Sequence, residues 1–117
     1  MTRVLVVEDD PALRGLLRDV LELLGHVVDL AADGREALEH LQQRRPDLIL
    51  LDLMMPVMDG RAFGTVVRGD ERTVDLPIVL MSAAPEAAQV GGEIRAQALL
   101  RKPFDLDELA RVVEQLG

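Results

Sequence analysis

Five short apolar runs punctuate this chain: Val4-Leu5-Val6-Val7, His26 to Ala31, Leu48-Ile49-Leu50-Leu51-Asp52, Pro77 to Ser82, and Ala98 to Arg101. Short continuous apolar runs fit strands covered on both faces of a sheet. Between them, apolar positions recur at helical spacing. Asp10-Pro11 opens the first helix, with Asp as N-cap and Pro in the first turn. Leu13, Leu16, Leu17, Val20, Leu21 and Leu24 follow on one face, and Gly25 closes the element. Asp33-Gly34-Arg35-Glu36 has the layout of a capping box before Ala37, Leu38 and Leu41. A third helix is expected from about Arg61 to Arg68, and Asp105 to Glu108 caps a last one carrying Leu109, Val112, Val113 and Leu116. The segment after Ser82 reads as a short helix over Ala83 to Val90, which Gly91-Gly92 should stop or break.

Strand and helix thus alternate five times, which predicts an α/β fold: a doubly wound, five-stranded parallel sheet with helices on both faces. Crossovers should be right-handed. In such open sheets, sites lie beyond the carboxyl ends of the strands. The polar residues that interrupt the apolar runs fall at that edge: Glu8 and Asp9, Asp52, Ser82, and Lys102.

With 117 residues and 49% hydrophobic content, the chain suits one domain with a packed core. Aromatics make up 2%, so the core must be aliphatic and base stacking is nearly excluded. A net charge of −8 argues against a nucleic-acid surface and fits binding of cations or basic partners. Without cysteine, disulfides, thiol catalysis and Cys-ligated zinc are excluded, and two His are too few for a His-based metal cage. No segment is long and apolar enough to span a bilayer, and the N-terminus lacks a signal-peptide layout. The expectation is a cytoplasmic protein without membrane attachment. The sequence stops at Gly117 without a linker, as expected of a free-standing domain or of one cut from a longer protein.

Adjacent carboxylates repel, so Glu8 and Asp9 together favour a cation, whereas Asp10 reads simply as the cap of the first helix. Oxygen donors without Cys or His select a hard ion such as Mg²⁺. Asp52, ending a buried run, would be a third carboxylate of that site and a potential nucleophile for a phosphoryl group. An isolated Asp there would more simply cap the next loop. Lys102 can reach a carboxylate or phosphoryl oxygen, although most Lys residues are surface residues. Arg101 is expected on the surface. Pro103 biases Lys102 toward extended backbone and is compatible with a cis bond. Ser82 could donate to a phosphoryl oxygen or make a local turn bond, and Ala83 and Ala84 after it leave room for a group on Asp52.

Four pieces together resemble a response-regulator receiver domain, the phosphoacceptor module of two-component signalling. They are Val4 to Asp10, Leu50-Leu51-Asp52-Leu53-Met54-Met55-Pro56-Val57-Met58-Asp59-Gly60, Pro77 to Ala83, and Lys102-Pro103-Phe104. The resemblance covers the whole chain and implies a single receiver domain over 1–117 with flavodoxin-like strand order 2-1-3-4-5. It implies that Asp52 accepts a phosphoryl group from a phosphohistidine on a sensor histidine kinase or histidine phosphotransferase. It implies Mg²⁺ bound by Glu8, Asp9, Asp52 and the backbone carbonyl of Met54. Lys102 and Ser82 would contact the phosphoryl group, with Ala83 and Pro103 supporting the site. The fourth helix, fifth strand and fifth helix would then shift to control an effector domain or protein partner, without direct nucleic-acid binding by this domain. Apart from its own phosphorylation and dephosphorylation, such a domain is not an enzyme.

The chain departs from the family in that output region. The family's aromatic switch position is occupied by Leu99, and Arg95-Ala96-Gln97-Ala98 replaces a common Gly-Ala-Asp-Asp lead-in. The segment between Ser82 and Lys102 is slightly short for the family and contains Gly91-Gly92, so a short, frayed or absent fourth helix is expected. Met54 and Ala84 hold positions that tune dephosphorylation in the family, and neither can orient a water. The main alternative is a phosphorylation-independent pseudo-receiver acting as an interaction module. An aspartyl phosphatase would want a second acid where Met54 stands, and a flavin-binding domain would want aromatics against the ring.

Overall fold

Four of the five helices begin at an aspartate whose carboxylate accepts a backbone N–H of the first turn. The computed structural model describes residues 2–117. Helix α1 spans Pro11–Leu23 behind Asp10, and α2 spans Gly34–Gln43 behind Asp33. Helix α3 spans Gly60–Gly69 behind Asp59, and α5 spans Leu106–Leu116 behind Asp105. The cap bonds run from Ala12 N (3.1 Å), Glu36 N (2.9 Å), Ala62 N (2.9 Å) and Glu108 N (2.7 Å). Each satisfies a donor that the helix itself leaves free. Gly25, with φ +92°, ends α1 in the left-handed conformation glycine allows.

The strands are β1 (Arg3–Val7), β2 (Val27–Ala31), β3 (Leu48–Asp52), β4 (Ile78–Ser82) and β5 (Ala98–Arg101). They form one parallel sheet in the order β2-β1-β3-β4-β5. This is the flavodoxin-like arrangement expected from the sequence. Every residue of β3 and β4 is buried, which accounts for their unbroken apolar runs. Side chains alternate between faces. Leu5, Val7, Ile49, Leu51, Ile78 and Leu80 pack with Ala37, Phe63, Val67, Ala87, Val90 and Ile94, under α2, α3 and α4. Val4, Val6, Leu48, Leu50, Val79, Met81 and Leu100 pack with Leu17, Leu21, Leu109 and Val113, under α1 and α5. No helix among the described residues is long and apolar enough to cross a membrane.

The fourth helix departs from expectation. Instead of Ala83 to Val90, α4 covers Ala87–Glu93, so it is short but present, and it runs through Gly91 and Gly92 rather than stopping at them. Its start is late because Ala84 precedes Pro85, and a residue before proline is driven out of the helical region. Its end is late because buried Ala87, Val90 and Ile94 hold it to the sheet, and that packing outweighs the cost of about 1 kcal/mol per helical glycine. Alone among the helices of the described residues, α4 has no side-chain cap.

The start of α3 sits against the end of β3. Gly60 N donates to Leu53 O at 2.9 Å, and a Cβ on Gly60 would lie 2.5 Å from the Asp52 carbonyl oxygen. Backbone atoms on both sides leave no flexible neighbour to give way. Gly60→Ala should therefore cost about 2–4 kcal/mol of stability, measured by urea unfolding. An unchanged midpoint would show that α3 can shift freely from the end of β3.

Candidate functional site

The carboxyl ends of β1, β3, β4 and β5 bring the sequence-selected residues together. The strand register sets Asp52 beside Met81, and Ser82 beside Arg101. Glu8 continues from β1, its N–H donating to Ala31 O at 3.0 Å. Glu8 and Asp52 are 1% and 4% exposed, whereas Asp9 faces solvent. The ammonium of Lys102 reaches between the two buried acids, donating to Glu8 Oε1 at 2.7 Å and Asp52 Oδ1 at 3.1 Å. The other oxygen of Glu8, Oε2, accepts from Asp10 N at 3.2 Å. Asp10 itself caps α1, as its sequence position suggested. The Lys102–Pro103 peptide bond is cis.

Ser82 is buried, and its Oγ accepts the Ala84 N–H at 2.9 Å, the local turn bond weighed from the sequence. That bond uses a lone pair and leaves the hydroxyl proton available for another acceptor. Ala83 is exposed beside it, Pro103 is exposed beyond Lys102, and the Met54 side chain points outward at 63% exposure. Leu99 is half-buried against the cluster under α3 and α4.

Charge in this cluster is unbalanced. Burial first, then repulsion by Glu8, pushes the Asp52 carboxyl up to about 7, against the lowering effect of Lys102. For Lys102, burial acts to lower its pKa, but the hydrogen bonds and charges of Glu8 and Asp52 outweigh it and hold the group above its usual value. One ammonium thus serves a carboxylate surplus. Glu8, Asp9 and Asp52 each offer an oxygen within 4.8 Å of the others. Hard oxygen donors and a deficit of positive charge fit a divalent cation such as Mg²⁺.

Three contributors escaped the sequence reading. Arg14 in α1 donates to the carbonyls of Glu8 (2.9 Å) and Asp9 (3.4 Å), fixing the backbone of the acidic pair. Gly60 permits the close approach of α3 to Asp52. Arg101, exposed as expected, donates to Ala84 O at 3.0 Å. Arg14 falls one turn after the cap of α1, a spacing that could have flagged it; the other two depend on contacts between separate elements. The loop after Asp52 also holds a strained residue. Val57 has φ +66°, which a β-branched side chain disfavours.

This arrangement places the chain among known proteins. Residues 4–114 match the response regulator receiver domain family, and the chain belongs to it. It is 41% identical over 115 residues to the DNA-binding dual master transcriptional regulator RpaA of Synechocystis, covering 96% of this chain and 48% of that protein. It is 43% identical over 111 residues to the response regulator MprA of Mycolicibacterium vanbaalenii, covering 92% of this chain and 46% of the relative. The chain thus spans about half the length of these curated relatives. Among solved structures, the chemotaxis protein CheY4 of Vibrio cholerae superposes with a TM-score of 0.92 at 35% identity, covering 100% of this chain and 99% of that one. The response regulator TrrA of Thermotoga maritima, solved in complex with Mg²⁺-BeF, superposes with a TM-score of 0.89 at 32% identity over the full length of both chains. The fold and the two-component signalling class expected from the motifs are therefore established.

The raised Asp52 pKa has a consequence for stability. The folded state holds this proton more tightly than the unfolded chain does, so stability falls as pH rises from the unfolded carboxyl range through about 7 and then levels off. In metal-free buffer, the protein should lose about 1–3 kcal/mol between roughly pH 5 and pH 8. Asp52→Asn should remove most of that slope, as read by urea unfolding across pH. Parallel pH profiles for the two proteins would exclude a raised Asp52.

Proposed function

We propose that the chain, read as one receiver domain over 1–117, is a phosphoacceptor switch. Asp52 takes a phosphoryl group from a phosphohistidine on a sensor histidine kinase or histidine phosphotransferase. The observation that carries this reading is the buried Asp52 carboxylate at the end of β3, joined to Glu8 through Lys102 in a cluster short of positive charge. In the transfer, a carboxylate oxygen of Asp52 forms a bond to phosphorus as the imidazole nitrogen–phosphorus bond breaks. The leaving imidazole keeps the bonding pair and takes up a proton.

Glu8, Asp9, Asp52 and the Met54 carbonyl would hold Mg²⁺, which when bound supplies charge against the phosphoryl oxygens. Lys102 can turn its ammonium from the carboxylates to a phosphoryl oxygen, since three rotatable donors on a flexible stem need no fixed plane. Ser82 has a free hydroxyl proton to donate to another. Its movement toward the phosphoryl group would bias the α4-β5-α5 face, which acts on an effector domain or protein partner rather than on nucleic acid directly. RpaA is named as DNA-binding, and a comparable output for this chain would lie outside the domain. We infer a cytoplasmic setting, where such kinases present their phosphohistidine.

Incubation with Mg²⁺ and acetyl phosphate should add one phosphoryl group by intact-protein mass. The adduct should be absent without Mg²⁺ and in Asp52→Asn. If neither acetyl phosphate nor a phosphohistidine donor modifies the folded wild type, a phosphate-independent interaction module becomes the better reading.

The adduct should also persist. Met54 lies exposed and Ala84 carries no polar side-chain atom, so neither can align an attacking water. After removal of the donor, a mass time course should show loss over hours, and decay within minutes would refute this.

A further inference from the structure

The two ends of α4 are held differently by arginines. At its C-terminal end, Arg68 of α3 donates from Nε to Ile94 O at 2.8 Å and from Nη2 to Arg95 O at 3.0 Å. Ile94 packs so closely on Gly64 that a Cβ there would lie 2.8 Å from its side chain. Arg61 adds an ion pair to Glu93 at 2.9 Å. This end is pinned to α3. The other end has no side-chain cap, and the loop before it is secured through Ala84. The Ala84 N–H is bonded to Ser82 Oγ at 2.9 Å, and its C=O accepts from Arg101 Nη1 at 3.0 Å.

Arg101 ends β5 and lies beside Ser82 in the ladder. Two residues earlier on the same strand, and therefore on the same face, stands Leu99, which has no polar tip to reach that carbonyl. We propose that Arg101 is a positioning residue of the switch: its bond to the Ala84 carbonyl holds the Ser82–Ala84 turn in the resting arrangement and so opposes phosphoryl binding at Asp52. This rests on the phosphoacceptor reading. Drawing the Ser82 hydroxyl toward a group on Asp52 pulls on the Ala84 N–H, and as the turn moves, the Ala84 carbonyl, which also accepts from Ala87 N at 3.1 Å, is drawn from the guanidinium. A bond made in the resting state alone must weaken phosphoryl binding by its own worth.

The test compares wild type, Arg101→Leu, Arg101→Lys and Asp52→Asn in the whole chain, with beryllofluoride and Mg²⁺ as the phosphoryl mimic. In the resting protein, Arg101→Leu should move the carbonyl ¹³C resonance of Ala84. It should also tighten beryllofluoride binding about 3–10-fold, the worth of one such hydrogen bond. Arg101→Lys, which keeps a donor, should return affinity to within about 2-fold of wild type. The same bond stabilises the resting fold, so Arg101→Leu should lower the unfolding midpoint slightly and Arg101→Lys should restore it. Equal or weaker binding by Arg101→Leu, or a Lys variant that behaves like Leu, would overturn the proposal while leaving the phosphoacceptor reading intact if Asp52→Asn abolishes binding. A wild type that binds no beryllofluoride would overturn both.

Discussion

The ammonium of Lys102 between Glu8 and Asp52 is the contact on which the site depends. Two carboxylates withdrawn from water would each cost several kcal/mol if left unpaired. The single ammonium offsets that cost incompletely, and the two partners show it in opposite ways. At Lys102, attraction from two acids overcomes burial and holds the proton on. At Asp52, burial and Glu8 together overcome the lysine. A neutralised pair would leave nothing for a cation to do. This cluster keeps a negative surplus in a cleft whose third acid, Asp9, is open to solvent.

The sheet creates that surplus by geometry. Side chains alternate along β3 between the layer under α2, α3 and α4 and the layer under α1 and α5, so its body admits only apolar residues. A polar residue is tolerated where the strand meets the carboxyl edge, and Asp52 is there. Central β3 has β1 on one side and β4 on the other, so its end faces the ends of both neighbours. Crossovers on opposite sides of the sheet open a crevice at such an edge. Glu8 and Ser82 border it from adjacent strands, and Lys102 reaches in from beyond β5. The acidic cluster therefore follows from strand order as much as from residue type.

Much of this was legible because its causes are local or periodic. Leu48 to Asp52 reads as a buried strand since both of its faces must be apolar, and its structural limits match that run. Asp10, Asp33 and Asp105 announce their helices because capping is a property of neighbouring residues. That Glu8, Asp52 and Lys102 would meet was legible because each falls where an apolar run stops. What stayed hidden depends on contacts between elements rather than within one. The need for glycine at position 60 comes from the Asp52 carbonyl facing it, and the bond Arg101 makes is to the Ala84 carbonyl just beyond β4. The limits of α4 were misjudged because local glycine propensity was set against tertiary packing whose strength a sequence does not print.

That misjudged helix bears on how a charge event at Asp52 could be felt elsewhere. α4 has two internal glycines, no side-chain cap and only seven residues, well short of what forms an isolated helix in water. It persists because Ala87, Val90 and Ile94 are buried against the sheet and α3. Its C-terminal end is fixed by Arg68 through backbone carbonyls on two successive residues, while its N-terminal end follows a turn anchored to Ser82 and Arg101. Its N-terminal end is the one tied, through the Ser82–Ala84 turn, to the end of β4. The shortest helix is thus joined at one end to α3 and at the other to a turn beside the acidic cluster.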